Sequence, residues 1–255
     1  MKELREFTAT AWPFTVRLFS FKWMNTDERR IRWKPLPSLT CWLIRLVTRL
    51  LCRIELDSLA QVPVQGPLVL VSNHIGSLEV PLFYAHLQPR RLFGLAKIET
   101  WDNRFMGWLF DLFEAIPIRR GEADMEAVRR SLTVLADGNI LAIAPEGTRS
   151  RHGKLLRGQP GVVTLALRSG APVLPIVHWG VEKFGENLKH LRRTDFHIRV
   201  GKPFYLDARG ERVGGEVRRA MVDEIMYQIA ALMPEEYRSE YVDCNPPPQK
   251  YLRFA

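Results

Sequence analysis

From residue 66 onward the chain repeats one pattern: a short apolar run, a segment with helical spacing, then another apolar run. The runs fall at residues 67–72, 91–96, 115–118, 139–144, 172–179 and 196–200. Several are continuous rather than alternating, which is how strands covered on both faces read. The segments between them carry helix punctuation. Residues 122–136 place Met125, Val128, Leu132 and Leu135 on one face, with Gly138 positioned as a stop. Residues 160–169 open at Pro160 and close at Gly170. Residues 215–233 carry Val217, Met221, Ile225, Ile229 and Leu232 as an apolar stripe. This alternation predicts an α/β domain, a layered sheet flanked by helices.

The chain before this domain has a different character. Residues 8–24 are rich in Trp, Phe and Leu, a charged break follows at 27–34, and Pro35-Leu36-Pro37 makes a turn. Residues 38–54 then read as a helix with Trp42, Leu43, Leu46, Val47 and Leu50 among its apolar positions. Arg45, Arg49 and Arg53 recur every four residues and form a basic stripe. Such a helix suits a membrane interface. It equally describes a helix packed on the protein's own core with its arginines in water. Two adjacent apolar segments with basic residues favour the interface. A full span is disfavoured, because arginines are costly at the bilayer centre and no run reaches roughly 18 apolar residues. The expected organisation is therefore membrane-associating helices over 1–58, the α/β domain over 59–240, and an irregular tail over 241–255 containing Pro246-Pro247-Pro248.

With 46% hydrophobic residues the chain can bury a sizeable core, which argues against intrinsic disorder. Its formal net charge of +9 suits anionic partners, though a solvated basic surface would give the same figure. Cys41, Cys52 and Cys244 have no C-x-x-C spacing, so neither a disulfide framework nor a zinc site is expected, and a reducing compartment fits. The charged start, Met1-Lys2-Glu3-Leu4-Arg5-Glu6, does not read as a secretory signal.

Two blocks carry chemistry. The first, Asn73-His74-Ile75-Gly76-Ser77-Leu78-Glu79, follows an apolar run and joins a histidine to an acid five residues on. On an ideal helix that spacing separates two side chains by about 140°. Pro81 moves the helix start to about residues 77–80, so His74 lies in the preceding turn and Glu79 in the first helical turn. From there the carboxylate can reach back to one imidazole nitrogen, leaving the other to take a proton from a hydroxyl. A structural histidine and an acid placed for the helix dipole would look the same. The second block, Pro145-Glu146-Gly147-Thr148-Arg149-Ser150, also follows an apolar run. Glycine allows close approach of the backbone, threonine and main-chain N–H groups can donate to phosphate oxygens, and arginine can grip them as a fork. Taken alone it reads as a solvated basic loop. Competing motifs fail: the segment from Gly147 to Lys154 has one residue too many for a P-loop, and there is no G-x-S-x-G elbow, metal-ligand cluster or nucleic-acid signature.

Taken in order, these blocks resemble the glycerolipid acyltransferases, the family of bacterial 1-acylglycerol-3-phosphate acyltransferases. The resemblance covers roughly residues 66–205. It rests on Asn73, His74 and Glu79, on Pro117-Ile118-Arg119-Arg120-Gly121, on Pro145-Glu146-Gly147-Thr148-Arg149-Ser150, and on Pro172-Val173-Leu174-Pro175-Ile176. Ala96-Lys97-Ile98-Glu99 is similar to a further family segment. The resemblance implies that His74 removes a proton from a lysophospholipid hydroxyl while Glu79 orients the ring. The oxygen then attacks the thioester of acyl-CoA or acyl-carrier protein, with no cofactor and no metal. It also implies that Arg120, Glu146, Gly147, Thr148 and Arg149, with Lys97 as a weaker candidate, serve the acceptor phosphate. Glu146, ionised, would do so by holding a basic side chain or a hydroxyl. N-terminal helices would dock on membrane phospholipid, placing the chain as a peripheral or monotopic protein on the cytoplasmic face of the cell membrane. Glu79 stands where the family usually has Asp, and Gly76 where it usually has Ser. Acylation of another acceptor, such as glycerol-3-phosphate, an ornithine lipid or a glycolipid, therefore stays open, as does a non-catalytic lipid binder. Nucleic acid is not an expected partner.

Overall fold

In the computed structural model, which describes residues 38–76, 78–150, 152–242 and 249–254, helices and strands alternate as the apolar runs predict. The helices are α1 (Ser38–Leu51), α2 (Glu79–His86), α3 (Arg104–Leu112), α4 (Met125–Ala136), α5 (Gly161–Ser169), α6 (Phe184–Lys189) and α7 (Gly215–Leu232). The strands are β1 (Cys52–Ile54), β2 (Leu68–Ser72), β3 (Leu92–Lys97), β4 (Ile116–Ile118), β5 (Ile140–Ile143), β6 (Val173–Trp179), β7 (Thr194–Val200), β8 (Phe204–Leu206) and β9 (Leu252–Phe254). They form one sheet in the order β1-β7-β6-β2-β5-β3-β4, with β8 and β9 added beside β6. Strands β6, β2, β5, β3 and β4 run parallel, and β7 is antiparallel to β6.

β2 lies at the centre and all five of its residues are buried. Alternate residues point to opposite faces. Leu68, Leu70, Ile140, Leu174, Ile176 and Phe196 join one core with Cys41 of α1, Leu82 and Phe83 of α2, and Leu109 and Leu112 of α3. The intervening residues Val69, Val71, Leu141 and Val173 are buried against the layer made by α4, α5 and α7. A glycine at φ +63°, Gly170, ends α5 behind the N-terminal Pro160.

Four details differ from the sequence reading. The helix expected over 38–54 stops at Leu51, because the Arg193 guanidinium takes the carbonyls of Arg49 and Cys52 at 2.6 Å each and β1 then pairs with β7. Residue 58 is thus no boundary: α1 and β1 belong to the same compact unit as the other described residues. The tail is not irregular throughout. Glu224 accepts the N–H groups of Lys250 and Tyr251, which steers β9 onto β8. On α4 the buried face is Ala127, Ser131, Val134 and Leu135, and Met125 is exposed.

The fourth difference concerns the arginine stripe of α1. Arg45 turns inward and donates to the Ala85 carbonyl from Nε and Nη2 at 3.0 and 2.6 Å. The last turn of a helix leaves carbonyls without intrahelical partners, and Arg45 supplies a charged donor to one of them in α2. The outward face of α1 is instead apolar: Leu39, Trp42, Leu43 and Leu50 are 72%, 58%, 51% and 63% exposed. Among the described residues, no helix is long and apolar enough to cross a membrane. The apolar segment at 8–24 and the three consecutive prolines lie outside the described residues.

Candidate active site

Five parallel strands end at one edge of the sheet, and every candidate residue lies on a strand end, a loop or a helix start at that edge. This is where open α/β sheets hold their ligands. β2 leads to Asn73-His74, β5 to residues 145–150, β3 ends at Lys97, and β4 leads to Arg119-Arg120.

The five-residue spacing works as the turn argument requires. Glu79 opens α2, and its Oε1 lies 2.5 Å from His74 Nδ1. A carboxylate only accepts, so Nδ1 carries the proton and Nε2 is left with a lone pair. The Glu79 side chain is 5% exposed and that of His74 24%, so the acid is sealed while the ring keeps an open side. Burial acts to raise the Glu79 carboxyl. The hydrogen bond from His74, with the electrostatic influence of the neighbouring His178 and His74 rings, outweighs it, and the group sits below the usual carboxylate range.

The main chain of His74 is held as firmly as its ring. Glu146 Oε1 accepts the His74 N–H at 2.7 Å, and Ser150 N–H donates to the His74 carbonyl at 2.8 Å. The other Glu146 oxygen accepts the Leu156 N–H at 2.8 Å. Among the described residues, Glu146 therefore holds two backbone amides, not the basic side chain or hydroxyl that its implied phosphate role had suggested. Gly147 makes the turn possible: its φ is +70°, a region that side chains with a Cβ avoid, and its N–H closes on the Ala144 carbonyl at 3.0 Å.

Burial pushes the Glu146 carboxyl up to about 7, with the nearby Glu79 charge adding to the rise against the two amide hydrogen bonds. A carboxyl raised from 4.5 to about 7 stabilises the folded state by about 3 kcal/mol below pH 4.5, and this is lost as pH rises through 7. Glu79, whose pKa is lowered, contributes in the opposite sense and only below about pH 4.5. Stability measured by urea denaturation should therefore fall between pH 5 and 7.5 in the wild type and fall less in Glu146→Gln. Equal declines in the two proteins would contradict this assignment.

The phosphate candidates divide into two groups. Gly147, Thr148 and Arg149 follow Glu146 on the loop next to His74, with Thr148 and Arg149 exposed. Lys97 pairs in register with Ile118, which brings it beside the segment carrying Arg120. That segment is fixed by Asp124, which accepts the Arg119 N–H at 2.9 Å and caps α4 through Ala127 at 3.0 Å. At about 4.8 Å per strand spacing, β3 and β4 lie about 10 and 14 Å from β2, so these two cations flank the base rather than touch it.

Two neighbours escaped the sequence reading. Asn73, seen only as part of a motif, donates from Nδ2 to the His178 carbonyl at 2.8 Å and accepts the His178 N–H at 3.0 Å. His178 itself lies within an apolar run, where nothing marks it as polar machinery.

Comparison with known proteins bears on this geometry. A family model described as Acyltransferase matches residues 53–179, which takes in His74, Glu79, Lys97, Arg120 and residues 145–150. A 1-acyl-sn-glycerol-3-phosphate acyltransferase of Pseudomonas aeruginosa is 26% identical over 197 residues, 75% of each chain. A chloroplastic protein of the same name from Brassica napus is 27% identical over 145 residues, 54% of this chain. The chain spans only 41% of the length of that plant relative. The crystal structure of a 1-acyl-sn-glycerophosphate acyltransferase from Thermotoga maritima superposes with a TM-score of 0.53 at 21% identity, covering 74% of this chain and 75% of the other. That likeness shows the shared α/β fold.

Proposed function

The chain belongs to the acyltransferase family, and we propose that it transfers an acyl chain from acyl-CoA or acyl-carrier protein to the free hydroxyl of 1-acylglycerol-3-phosphate, giving phosphatidic acid. The observation that carries this reading is the 2.5 Å contact between His74 Nδ1 and Glu79 Oε1 at the mouth of the sheet. With Nδ1–H committed to Glu79, Nε2 takes the proton from the acceptor hydroxyl as its oxygen attacks the thioester carbonyl carbon. The C–O bond forms, the C–S bond breaks, and the thiolate leaves with the proton returned from Nε2. The step balances without a covalent enzyme intermediate, a metal or a cofactor. Glu79 stabilises the imidazolium that forms between the two proton transfers.

Arg149 and Thr148 are proposed to take the acceptor phosphate beside the base, on the turn that Gly147 permits, with Arg120 and Lys97 supplying positive charge at the flank. The name shared by the relatives from Pseudomonas aeruginosa and Brassica napus supports this choice of acceptor. The outward residues of α1, joined on the same side of the sheet by Phe105 and Trp108 of α3, are proposed to rest on a phospholipid surface. A peripheral protein placed there, on the cytoplasmic face, meets its lipid acceptor in the membrane and its thioester donor in water.

One assay tests these parts together. Acyl-CoA is supplied with anionic vesicles carrying either lysophosphatidate or monoacylglycerol. Loss of the phosphate removes charge-assisted hydrogen bonds and should lower kcat/KM by about 10². Equal values for the two acceptors would contradict the phosphate site. Trp42→Glu with Leu46→Glu should slow transfer on vesicles but not in detergent micelles. Unchanged rates on vesicles would contradict the membrane face.

A further inference from the structure

His178 is completely buried near the end of β6, beside β2, and no step of the proposed transfer uses it. Its ring stacks on Phe196, with centroids 5.4 Å apart and planes 16° apart, and meets Phe83 edge-on at 5.9 Å. So held, its Nε2 lies 3.1 Å from the Asn73 carbonyl oxygen. A carbonyl only accepts, so Nε2 carries the proton and donates it. Ser72 Oγ donates to the same oxygen at 3.0 Å.

That carbonyl belongs to the peptide group whose N–H is that of His74. Glu146 Oε1 accepts this N–H at 2.7 Å. One planar peptide unit is thus gripped at both ends: by His178 and Ser72 at its oxygen, and by Glu146 at its nitrogen. A peptide unit is rigid, so fixing its two ends fixes the direction in which the His74 Cα leaves it. The Asn73 carboxamide makes two further bonds to the His178 main chain, at 2.8 and 3.0 Å. It takes the place of a strand residue and frees the Asn73 backbone to turn out of the ladder.

We propose that His178 is a positioning residue, which holds the Asn73–His74 peptide so that the His74 ring meets Glu79 in line and presents Nε2 to the acceptor. Its role requires the neutral ring with the proton on Nε2. Burial favours that neutral form, and the charged or titratable groups that act on it are Glu79, His74 and Glu182. The kinetic consequence rests on the acyl-transfer reading, whereas the geometric one does not.

The test therefore has two readouts. Proton NMR reports the low-field signal of His74 Nδ1–H bonded to Glu79, assigned by its loss in His74→Ala. The signal should persist in His178→Gln, whose amide nitrogen can donate to the same carbonyl, and vanish in His178→Leu. In vesicle assays His178→Leu should lose about 10² in kcat, the scale of a misplaced reacting group, with acceptor KM within twofold. His178→Gln should recover most of the loss. A folded leucine variant that keeps both the signal and kcat overturns the proposal. Nitrogen-15 imidazole shifts of the wild-type protein supply an arm that needs no variant: the Nε2–H form of His178 supports the proposal, and the Nδ1–H form overturns it. If the wild type transfers no acyl chain, the functional reading fails while both NMR arms still decide the role of His178.

Discussion

His74→Ala is expected to lower kcat/KM for acyl transfer by about 10³ to 10⁴, the upper range for loss of a positioned general base. The variant should still fold, because the bonds that pin this turn come from main-chain atoms: the residue 74 N–H to Glu146 and its carbonyl from Ser150. A stability loss of about 1–3 kcal/mol should accompany the change, since Glu79 would keep a buried carboxylate without the donor it now has. Thermal melting and steady-state kinetics on the same preparation separate the two effects. A folded alanine variant retaining a tenth of wild-type activity would remove His74 from the role of base.

Glu79→Gln is expected to cost about 10³ in kcat while leaving the acceptor KM within twofold. The amide has nearly the shape of the acid, so α2 and its packing should persist. What changes is charge and donor pattern. Glutamine can accept from Nδ1–H through its oxygen, but it offers no negative charge to the imidazolium. It can also turn its NH₂ toward the ring, which favours the wrong tautomer. The effect falls on turnover because that stabilisation exists only once the proton has moved to Nε2. A KM effect with kcat unchanged would show Glu79 to be a binding group.

The sequence reading succeeded where a physical constraint acts locally. β2, β5 and β6 were visible because a run covered on both faces has little room for polar residues, while β7 showed through its buried Phe196, Ile198 and Val200 between exposed Asp195 and Arg199. The His74–Glu79 pair was visible because a turn before a proline-marked helix start makes a five-residue spacing productive. The misses share one cause: they depend on partners far along the chain. β1 and β9 are three residues each and exist because β7 and β8 offer edges. Arg45 read as part of a basic stripe and serves instead as a donor to the carbonyl of Ala85, forty residues on. Glu146 was read as part of an anion site because its partners are main-chain N–H groups, which leave no mark in a sequence. His178 was hidden in an apolar strand, where a histidine registers only as an interruption. The correction to Glu146 also reshapes the site. The loop after β5 does two jobs, bracing the base through Glu146 and Ser150, and, in the proposed reading, binding phosphate through its next residues.

The central claim is that His74 and Glu79 move an acyl chain onto a lysophosphatidate hydroxyl. The most direct measurement supplies radiolabelled acyl-CoA and lysophosphatidate vesicles to wild-type protein and to His74→Ala, and follows label into phosphatidic acid. The account predicts steady label transfer by the wild type and at least a thousandfold less by the variant. Equal transfer by the two proteins, or no transfer by the wild type to any lysolipid while vesicle binding persists, would contradict it.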